Sequence, residues 1–181
     1  MKKILFVLLA LCSFQLISAQ KLIAKTGYIW FYSHTAVEDI EAHNRQVVSI
    51  LDPSTASLQF NLLIKAFEFE KKLMQEHFNE NYMESDVYPK ASFTGKITNA
   101  DKIDFKKDGT YPAEVSGDLT IHGVTKQVTT QGTIVVSSGS ITAKAKFIVS
   151  PKDYNIVIPD IVQENIAKSV DVNVDVTYTS N

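Results

Sequence analysis

The amino-acid sequence predicts an all-β fold of about eight strands, and three observations support this. Apolar residues alternate with polar ones over short runs, which is the pattern of half-buried antiparallel strands. Pairs such as Asp108-Gly109, His122-Gly123 and Ser138-Gly139, at which a chain readily reverses, separate several of these runs. No regular alternation of strands and helices is present, which argues against an α/β protein. Period-two alternation alone does not distinguish a closed barrel from a two-sheet sandwich.

Each predicted strand places its apolar residues on one face. The first carries three aromatic residues at alternate positions, and the last carries four valines and a tyrosine in the same way. Phe67 is out of phase with Ile64, so the second strand must bulge or end near Lys65. In order, the predicted strands are Thr26–Tyr32, Ser57–Ala66, Ala91–Thr98, Ala113–Ile121, Val128–Val136, Ser140–Val149 and a final run from Val170 to Tyr178.

The strand pattern breaks twice, and both breaks have helical character. Phe67–Glu84 is rich in Glu, Lys, Leu and Met, and its Met74, Phe78 and Tyr82 are spaced so that they share one helical face. We therefore expect one short helix in this segment. A second helical turn is expected within Asp160–Lys168, just before the last strand.

Residues 1–19 have the features of a secretory signal peptide. Two lysines precede an apolar run over Ile4–Leu11, and small residues follow at Ser18 and Ala19. This run is shorter than the roughly 20 apolar residues of a transmembrane helix, so we do not expect the chain to span a membrane. We predict cleavage near Ala19 and a periplasmic or secreted location for a single domain over residues 20–181.

Removal of this leader leaves a cysteine-free, weakly acidic domain. The single cysteine, Cys12, lies in the leader, so we expect no disulfide, thiol nucleophile or cysteine metal site in the domain. A lipoprotein would use Cys12, but Leu11 stands where that processing prefers a small residue. Lys2 and Lys3 also leave, so 16 of the 18 basic residues remain against 20 acidic ones, a net charge of −4. This charge and the lack of a basic cluster exclude nucleic acid as a partner.

The sequence lacks motifs for catalysis. Nucleophile elbows, phosphate-binding glycine loops and dinucleotide fingerprints do not occur. We expect His122 to order a turn by hydrogen bonding and His77 to lie on the predicted helix. His34 and His43 flank the carboxylates of residues 38–41, and a zinc site is conceivable there, although no His-x-x-x-His spacing supports it. We therefore expect no enzymatic activity, no metal and no other cofactor.

Two sequence blocks resemble the YceI family. Residues 85–95 have the sequence SDVYPKASFTG, and residues 117–126 have the sequence GDLTIHGVTK, which is long enough to be specific. Phe147–Pro159 also looks like the penultimate segment of the family, so the resemblance covers residues 56–176. The N-terminal third departs from the family pattern, because the charged stretch Glu38–Arg45 replaces a glycine-containing strand pair.

The resemblance implies an eight-stranded antiparallel barrel similar to the lipocalins, with one or two short helices. Its interior would bind a lipid-like small molecule, either a polyisoprenoid or a fatty amide or fatty acid. Eight-stranded barrels either fill with side chains or enclose one small ligand, so the alternative is a structural or stress-related envelope module with a filled barrel. The sequence is compatible with both a monomer and a homodimer. The residues expected to line the barrel, each equally compatible with plain core packing, are Trp30, Phe60, Leu62, Ile64, Phe93, Leu119, Ile121, Ile134 and Phe147.

Overall fold

The computed structural model describes residues 21–179, which form a closed antiparallel β-barrel. The predicted leader lies outside the described residues, and its cleavage stays a prediction. Eight long strands make the wall, and the two-residue strand β4 is added at its rim. The strands are β1 Leu22–His34, β2 Asp39–Asp52, β3 Ser57–Leu63, β4 Glu68–Phe69, β5 Lys90–Ile97, β6 Gly109–Ile121, β7 Val124–Ser137, β8 Ser140–Val149 and β9 Val170–Thr179.

The hydrogen-bonding order of the strands closes the sheet on itself. The order is β1-β9-β8-β7-β6-β5-β3-β2, and β2 pairs back onto β1. All of these pairings are antiparallel, with registers such as Gly95 opposite Gly117 and Trp30 opposite His43. The predicted eight-stranded barrel is therefore confirmed, and a two-sheet sandwich is excluded because no edge is left between β1 and β2.

β2 forms over Asp39–Asp52, where the sequence pattern predicts no strand. Two of its inward positions are polar, Asn44 and Ser49, and these break the visible alternation. Both side chains donate hydrogen bonds to backbone carbonyl groups of β3, at 2.9 and 2.8 Å, so neither is buried without a partner. The inward positions also change phase between Asn44 and Val47, where the pairing with β1 is irregular.

The two helical breaks differ in outcome. The predicted helix within Phe67–Glu84 is present as α1, Lys72–His77, and continues as a π-helical turn over Phe78–Tyr82. The second break contains only a 3₁₀ turn, Asp160–Val162. The strand β3 ends at Leu63 and a 3₁₀ turn follows it, as the phase change near Lys65 predicted.

Side chains fill the barrel at the end where β1 begins, which we call the filled end. Tyr178 lies within this core and has no exposed surface. Its hydroxyl contacts the Ser49 hydroxyl at 2.5 Å, and since Ser49 donates to a carbonyl group of β3, Tyr178 is the donor in this contact. The buried core residues here are Ala24, Leu51, Ala56, Leu58, Ile97, Ile103, Ala113, Ile134, Val136, Ile141, Ala143, Val176 and Tyr178.

Two facing glycines make room for an aromatic ring inside the barrel. Gly95 of β5 lies opposite Gly117 of β6, and the Phe93 ring covers both. A side chain on Gly95 would lie 2.6 Å from Phe93 Cζ and 2.7 Å from Gly117 Cα. The pair therefore allows the backbones and the ring to approach closely, which no larger residue permits.

Gly117→Ala is expected to destabilise the barrel. The added methyl group would lie 2.5 Å from the Thr94 carbonyl oxygen, so the backbone must shift. We expect a loss of about 2 kcal/mol in the free energy of unfolding, measured by urea denaturation. Gly139→Asn is the control, because no atom lies within 4 Å of its added Cβ and Asn tolerates a φ of +81°. An unchanged Gly117→Ala midpoint would contradict the close packing.

Alkaline pH is expected to weaken the fold through Tyr178. Burial raises the pKa of its hydroxyl to about 12, so the folded protein holds this proton more tightly than the unfolded chain does. This stabilisation is complete below pH 10 and is lost as the pH rises toward 12. In Tyr178→Phe, the fall of unfolding free energy over this range should be shallower by about 1.4 kcal/mol per pH unit. Tyr111→Phe, at a partly exposed position, should keep the wild-type slope.

Candidate functional site

The other end of the barrel, which we call the cavity end, encloses a cavity of about 320 Å³. Inward-facing residues of the strands form its walls. The helix α1, the π-helical turn and the segment between β8 and β9 cover it from above. The wall residues are Ile29, Phe31, Ile40, Leu62, Ala91, Leu119, Ile121, Phe147, Val149, Val170 and Val172, and the covering residues include Met74, His77, Phe78, Tyr82, Met83, Ile156, Ile158, Val162 and Ile166.

A second cavity of about 100 Å³ lies deeper in the barrel, toward the filled end. Five residues line both cavities, so the two adjoin: Ile29, Leu62, Ala91, Leu119 and Phe147. Along β6 the lining runs from Ala113 in the deep cavity to Ile121 near the top. This stretch is about 27 Å along the strand, and about 20 Å along the barrel axis for the usual strand tilt. The interior is therefore a long, narrow space.

Four phenylalanine rings form one side of the main cavity. Phe78, from the π-helical turn, lies at 5.5 Å from Phe31, 5.7 Å from Phe67 and 5.0 Å from Phe69, measured between ring centroids. These distances are typical of favourable aromatic pairs. The cluster joins the helical segment to β1 and β4, and it presents a rigid apolar surface to the cavity.

Polar side chains in the lining gather at its rim, which we call the mouth: Ser33, Glu38, His77 and Asn165. His77 is exposed, so the cavity reaches the protein surface here. The Glu38 carboxylate accepts hydrogen bonds from Lys71 Nζ and Asn165 Nδ2, each at 3.3 Å. The Ser33 hydroxyl accepts a bond of 2.9 Å from the backbone N–H of Ala167. These bonds tie the β1–β2 turn to the two segments that cover the cavity.

The structure places eight of the nine residues that the sequence analysis selected in the lining of the two cavities. Three of them line both cavities, two line the main cavity and three line the deep one. That they contact a ligand stays a prediction. Leu62, Leu119 and Phe147 line both cavities. Ile64 and Ile121 line the main cavity alone, and Phe60, Phe93 and Ile134 line the deep cavity alone.

Trp30 is the exception, because it lies on the outer face of β1 and not in either lining. Its neighbours Ile29 and Phe31 point inward instead. Outside the barrel the Trp30 ring stacks on Tyr28 at 4.5 Å, and the Arg45 guanidinium lies 4.2 Å from the centre of the Tyr28 ring. The expectation that Trp30 lines the barrel is therefore corrected. Both faces of this strand are apolar, so alternation alone could not assign the inner one.

Several lining residues were not selected from the sequence. Met74, Phe78 and Tyr82 were predicted to share a helical face, and that face covers the cavity. Burial raises the pKa of the Tyr82 hydroxyl, so this group stays protonated and able to donate at neutral pH. Ile156 and Ile166 lie in the irregular segment before β9, where no periodic sequence pattern could have predicted that their side chains face the cavity.

His122 joins both covering segments to the wall. Its Nδ1 donates to the Tyr154 carbonyl oxygen at 3.1 Å, and its Nε2 lies 2.8 Å from the Glu84 carboxylate. The Tyr88 ring packs on the imidazole at 4.4 Å, and a side chain on Gly123 would collide with that ring. The expected ordering role of His122 thus extends to two distant segments.

The other histidines do not converge. His34 bonds Asp39 at 2.5 Å, whereas His43 bonds the Tyr28 hydroxyl at 2.8 Å. The hydrogen bond from His34 lowers the pKa of Asp39. Within residues 21–179, no three His, Cys, Asp or Glu side chains are grouped so that they could hold a metal ion. Over the same range no helix combines the length and the apolarity that a bilayer crossing requires.

The comparison with protein families decides the classification. The model of the YceI-like domain matches residues 22–178, which include all eight barrel strands except the last residue of β9. The chain belongs to the YceI-like family. A comparison of this YceI-like chain with curated proteins finds no match.

Solved structures share the fold at low sequence identity. A polyisoprenoid-binding domain from Saccharophagus degradans, implicated in plant cell wall breakdown, aligns with a TM-score of 0.75 at 14% identity, covering 89% of this chain and 98% of that domain. BcnA of Burkholderia cenocepacia aligns with a TM-score of 0.70 at 18% identity, covering 84% and 96%. The YceI protein of Campylobacter jejuni aligns with a TM-score of 0.64 at 18% identity, covering 82% and 90%.

His122→Asn is expected to loosen both covering segments of this YceI-like barrel. Asn tolerates the φ of +50° at this position, so the variant removes the ring without adding strain. We expect a loss of about 2 kcal/mol in unfolding free energy and faster hydrogen exchange at the amides of Tyr88 and Ile156. His34→Asn, at the exposed β1–β2 turn, should change neither. Unchanged exchange in His122→Asn would show that the ring does not anchor the segments.

Proposed function

We propose that this protein is an exported carrier that encloses one long apolar chain, such as a polyisoprenoid or a fatty-acid-like amphiphile. The observation that carries the proposal is the main cavity of about 320 Å³, whose lining is apolar except at the mouth. Ligand pockets usually have volumes of about 300–1,000 Å³ and combine apolar walls with a few polar groups. A space of this kind excludes polar metabolites, because their hydrogen bonds to water would be lost without replacement.

The shape of the interior suits a single chain. The two adjoining cavities extend about 20 Å along the barrel axis, for a strand tilt of 35–45°. Half the hydrocarbon core of a bilayer is about 15 Å thick, so one membrane-derived chain fits lengthwise. Each buried methylene contributes about 0.8 kcal/mol, so ten carbons contribute about 8 kcal/mol before ordering costs. Burial of ten carbons therefore corresponds to micromolar affinity at best before ordering costs, and longer isoprenoid chains gain more.

Two further observations support this role. The related domain from Saccharophagus degradans is described as polyisoprenoid-binding, and the shared fold makes a similar ligand a reasonable expectation here. The predicted signal peptide would deliver the domain to the periplasm or the medium, where a free lipid chain needs a protein to shield it from water.

A filled barrel that serves as a structural module is the second candidate. The filled end favours it, because Tyr178, Leu51 and Val176 have no exposed surface there. The cavity end argues against it, because close-packed interiors rarely contain voids larger than a water molecule. A stability role alone would not require such a space.

Ala91→Trp is expected to abolish ligand uptake. Ala91 lines both cavities at the level where they adjoin, so an indole ring there would fill the passage. We expect at least a tenfold loss of affinity, about 1.4 kcal/mol, for a fluorescent isoprenoid probe in direct titration. Circular dichroism and the thermal midpoint would establish that the variant folds.

Thr94→Trp is the matched control, because the exposed Thr94 lies three residues further along the same strand and is absent from both cavity linings. It should bind the probe as the wild type does. The protein as purified should also release a long-chain lipid into organic solvent, as detected by mass spectrometry. Equal uptake by the wild type and by Ala91→Trp, or no lipid and no uptake at all, would refute the carrier role.

A further inference from the structure

The charge at the mouth distinguishes between classes of amphiphile. Among the described residues that line the main cavity, Glu38 supplies the one carboxylate, and lysine and arginine are absent. A protein that captures carboxylate or phosphate head groups normally presents Arg or Lys to them. The lining therefore carries negative charge, whereas binding of an anionic head group requires positive charge.

Local bonds hold the Glu38 carboxylate in place. The Thr35 hydroxyl accepts a bond of 3.0 Å from the Glu38 backbone N–H, and the Thr35 N–H donates to the Glu38 carbonyl at 3.1 Å. The side chain of Glu38 is 26% exposed, so it is partly shielded from water. Its bonds to Lys71 and Asn165 keep the carboxylate at the rim. Each carboxylate oxygen retains a lone pair for one more donor.

The Lys71 ammonium group does not supply positive charge to the cavity lining. Its side chain is 64% exposed, and Lys71 is absent from the lining, so the ammonium group approaches Glu38 from the solvent side. The other polar groups at the rim or beside it are the hydroxyl groups of Ser33 and Tyr82, the Asn165 amide and the His77 imidazole. A head group held inside the mouth therefore faces the Glu38 carboxylate, and the ammonium group lies on the solvent side of that carboxylate.

We infer that Glu38 selects amphiphiles with a non-anionic head group that donates hydrogen bonds, such as an amide or an alcohol, and rejects carboxylate and phosphate head groups. This inference rests on the proposed carrier function and specifies its ligand class. A donor head group adds a charge-assisted hydrogen bond to Glu38. An anionic head group meets like charge in a partly desolvated site, which is a repulsive element of the kind that sets specificity.

The test is a series of ligands with one hexadecyl-length chain and different head groups: palmitamide, hexadecanol and palmitate. Competition with the fluorescent isoprenoid probe at pH 8, below the micelle-forming concentrations, gives their relative affinities. We expect the wild type to bind palmitate at least about tenfold more weakly than palmitamide.

Glu38→Gln removes the charge and keeps the shape and the acceptor oxygen. It should strengthen palmitate binding at least about tenfold and weaken hexadecanol binding, because the charge-assisted hydrogen bond to the carboxylate is lost. Glu114→Gln is the matched control, an exposed carboxylate at the filled end, and should change none of the three affinities. Lys71→Gln should leave palmitate the weakest of the three ligands, because the ammonium group does not face the cavity.

The outcomes separate the head-group inference from the carrier function. Palmitate binding as tight as palmitamide binding in the wild type, or a preference unchanged by Glu38→Gln, would overturn the role of Glu38 and leave the carrier function standing. A loss of palmitate binding in Lys71→Gln alone would also overturn it, because Lys71 would then be the anion receptor. Failure of the probe and of all three ligands to bind the wild type would overturn both proposals.

Discussion

Hydrogen bonding between β1 and β2 closes the sheet, and the cavity depends on that closure. A closed barrel has no edge, so its inward side chains can enclose a space that no second layer needs to fill. The irregular pairing near Gly27 shifts the phase of both strands at one level of the barrel. On the side of the filled end, the inward side chains pack against one another. On the side of the cavity end, the phenylalanine rings line the wall of the cavity. The closure of the sheet and the shift in strand phase together divide the barrel interior into the filled end and the cavity end.

The two ends of the barrel have different physical roles. At the filled end, Tyr178 and Ser49 bond each other within a buried core that supplies the stability of a protein with no disulfide among its described residues. At the cavity end, packing is replaced by a cover of helical and irregular segments, which His122 and Glu38 hold to the wall. Elements held by a few polar bonds open more readily than core strands do. A carrier needs this combination, because its ligand must enter without unfolding the barrel.

Affinity and selectivity come from different parts of the cavity. The apolar walls gain free energy from any long chain, whatever its head group, because the hydrophobic effect is not directional. In the proposed carrier, discrimination would therefore fall to the few polar groups at the mouth, and above all to the charge of Glu38. Its position lies in the N-terminal third, where the sequence departs from the family pattern. The solved structures that align at 14–18% identity share the fold alone.

The sequence by itself determined the all-β class, most of the strands, a short helix within Phe67–Glu84 and the turn at His122, because these follow from local periodicity and turn chemistry. Family resemblance then identified the barrel, and the alternation along the strands selected eight residues that line the two cavities. Only the tertiary structure decided that β2 is a strand, since its buried Asn44 and Ser49 conceal the alternation until their partners on β3 are known. It also decided which face of β1 points inward, and so placed Trp30 outside. The partial filling of the barrel depends on side chains from strands far apart in the chain, and no local pattern contains that information.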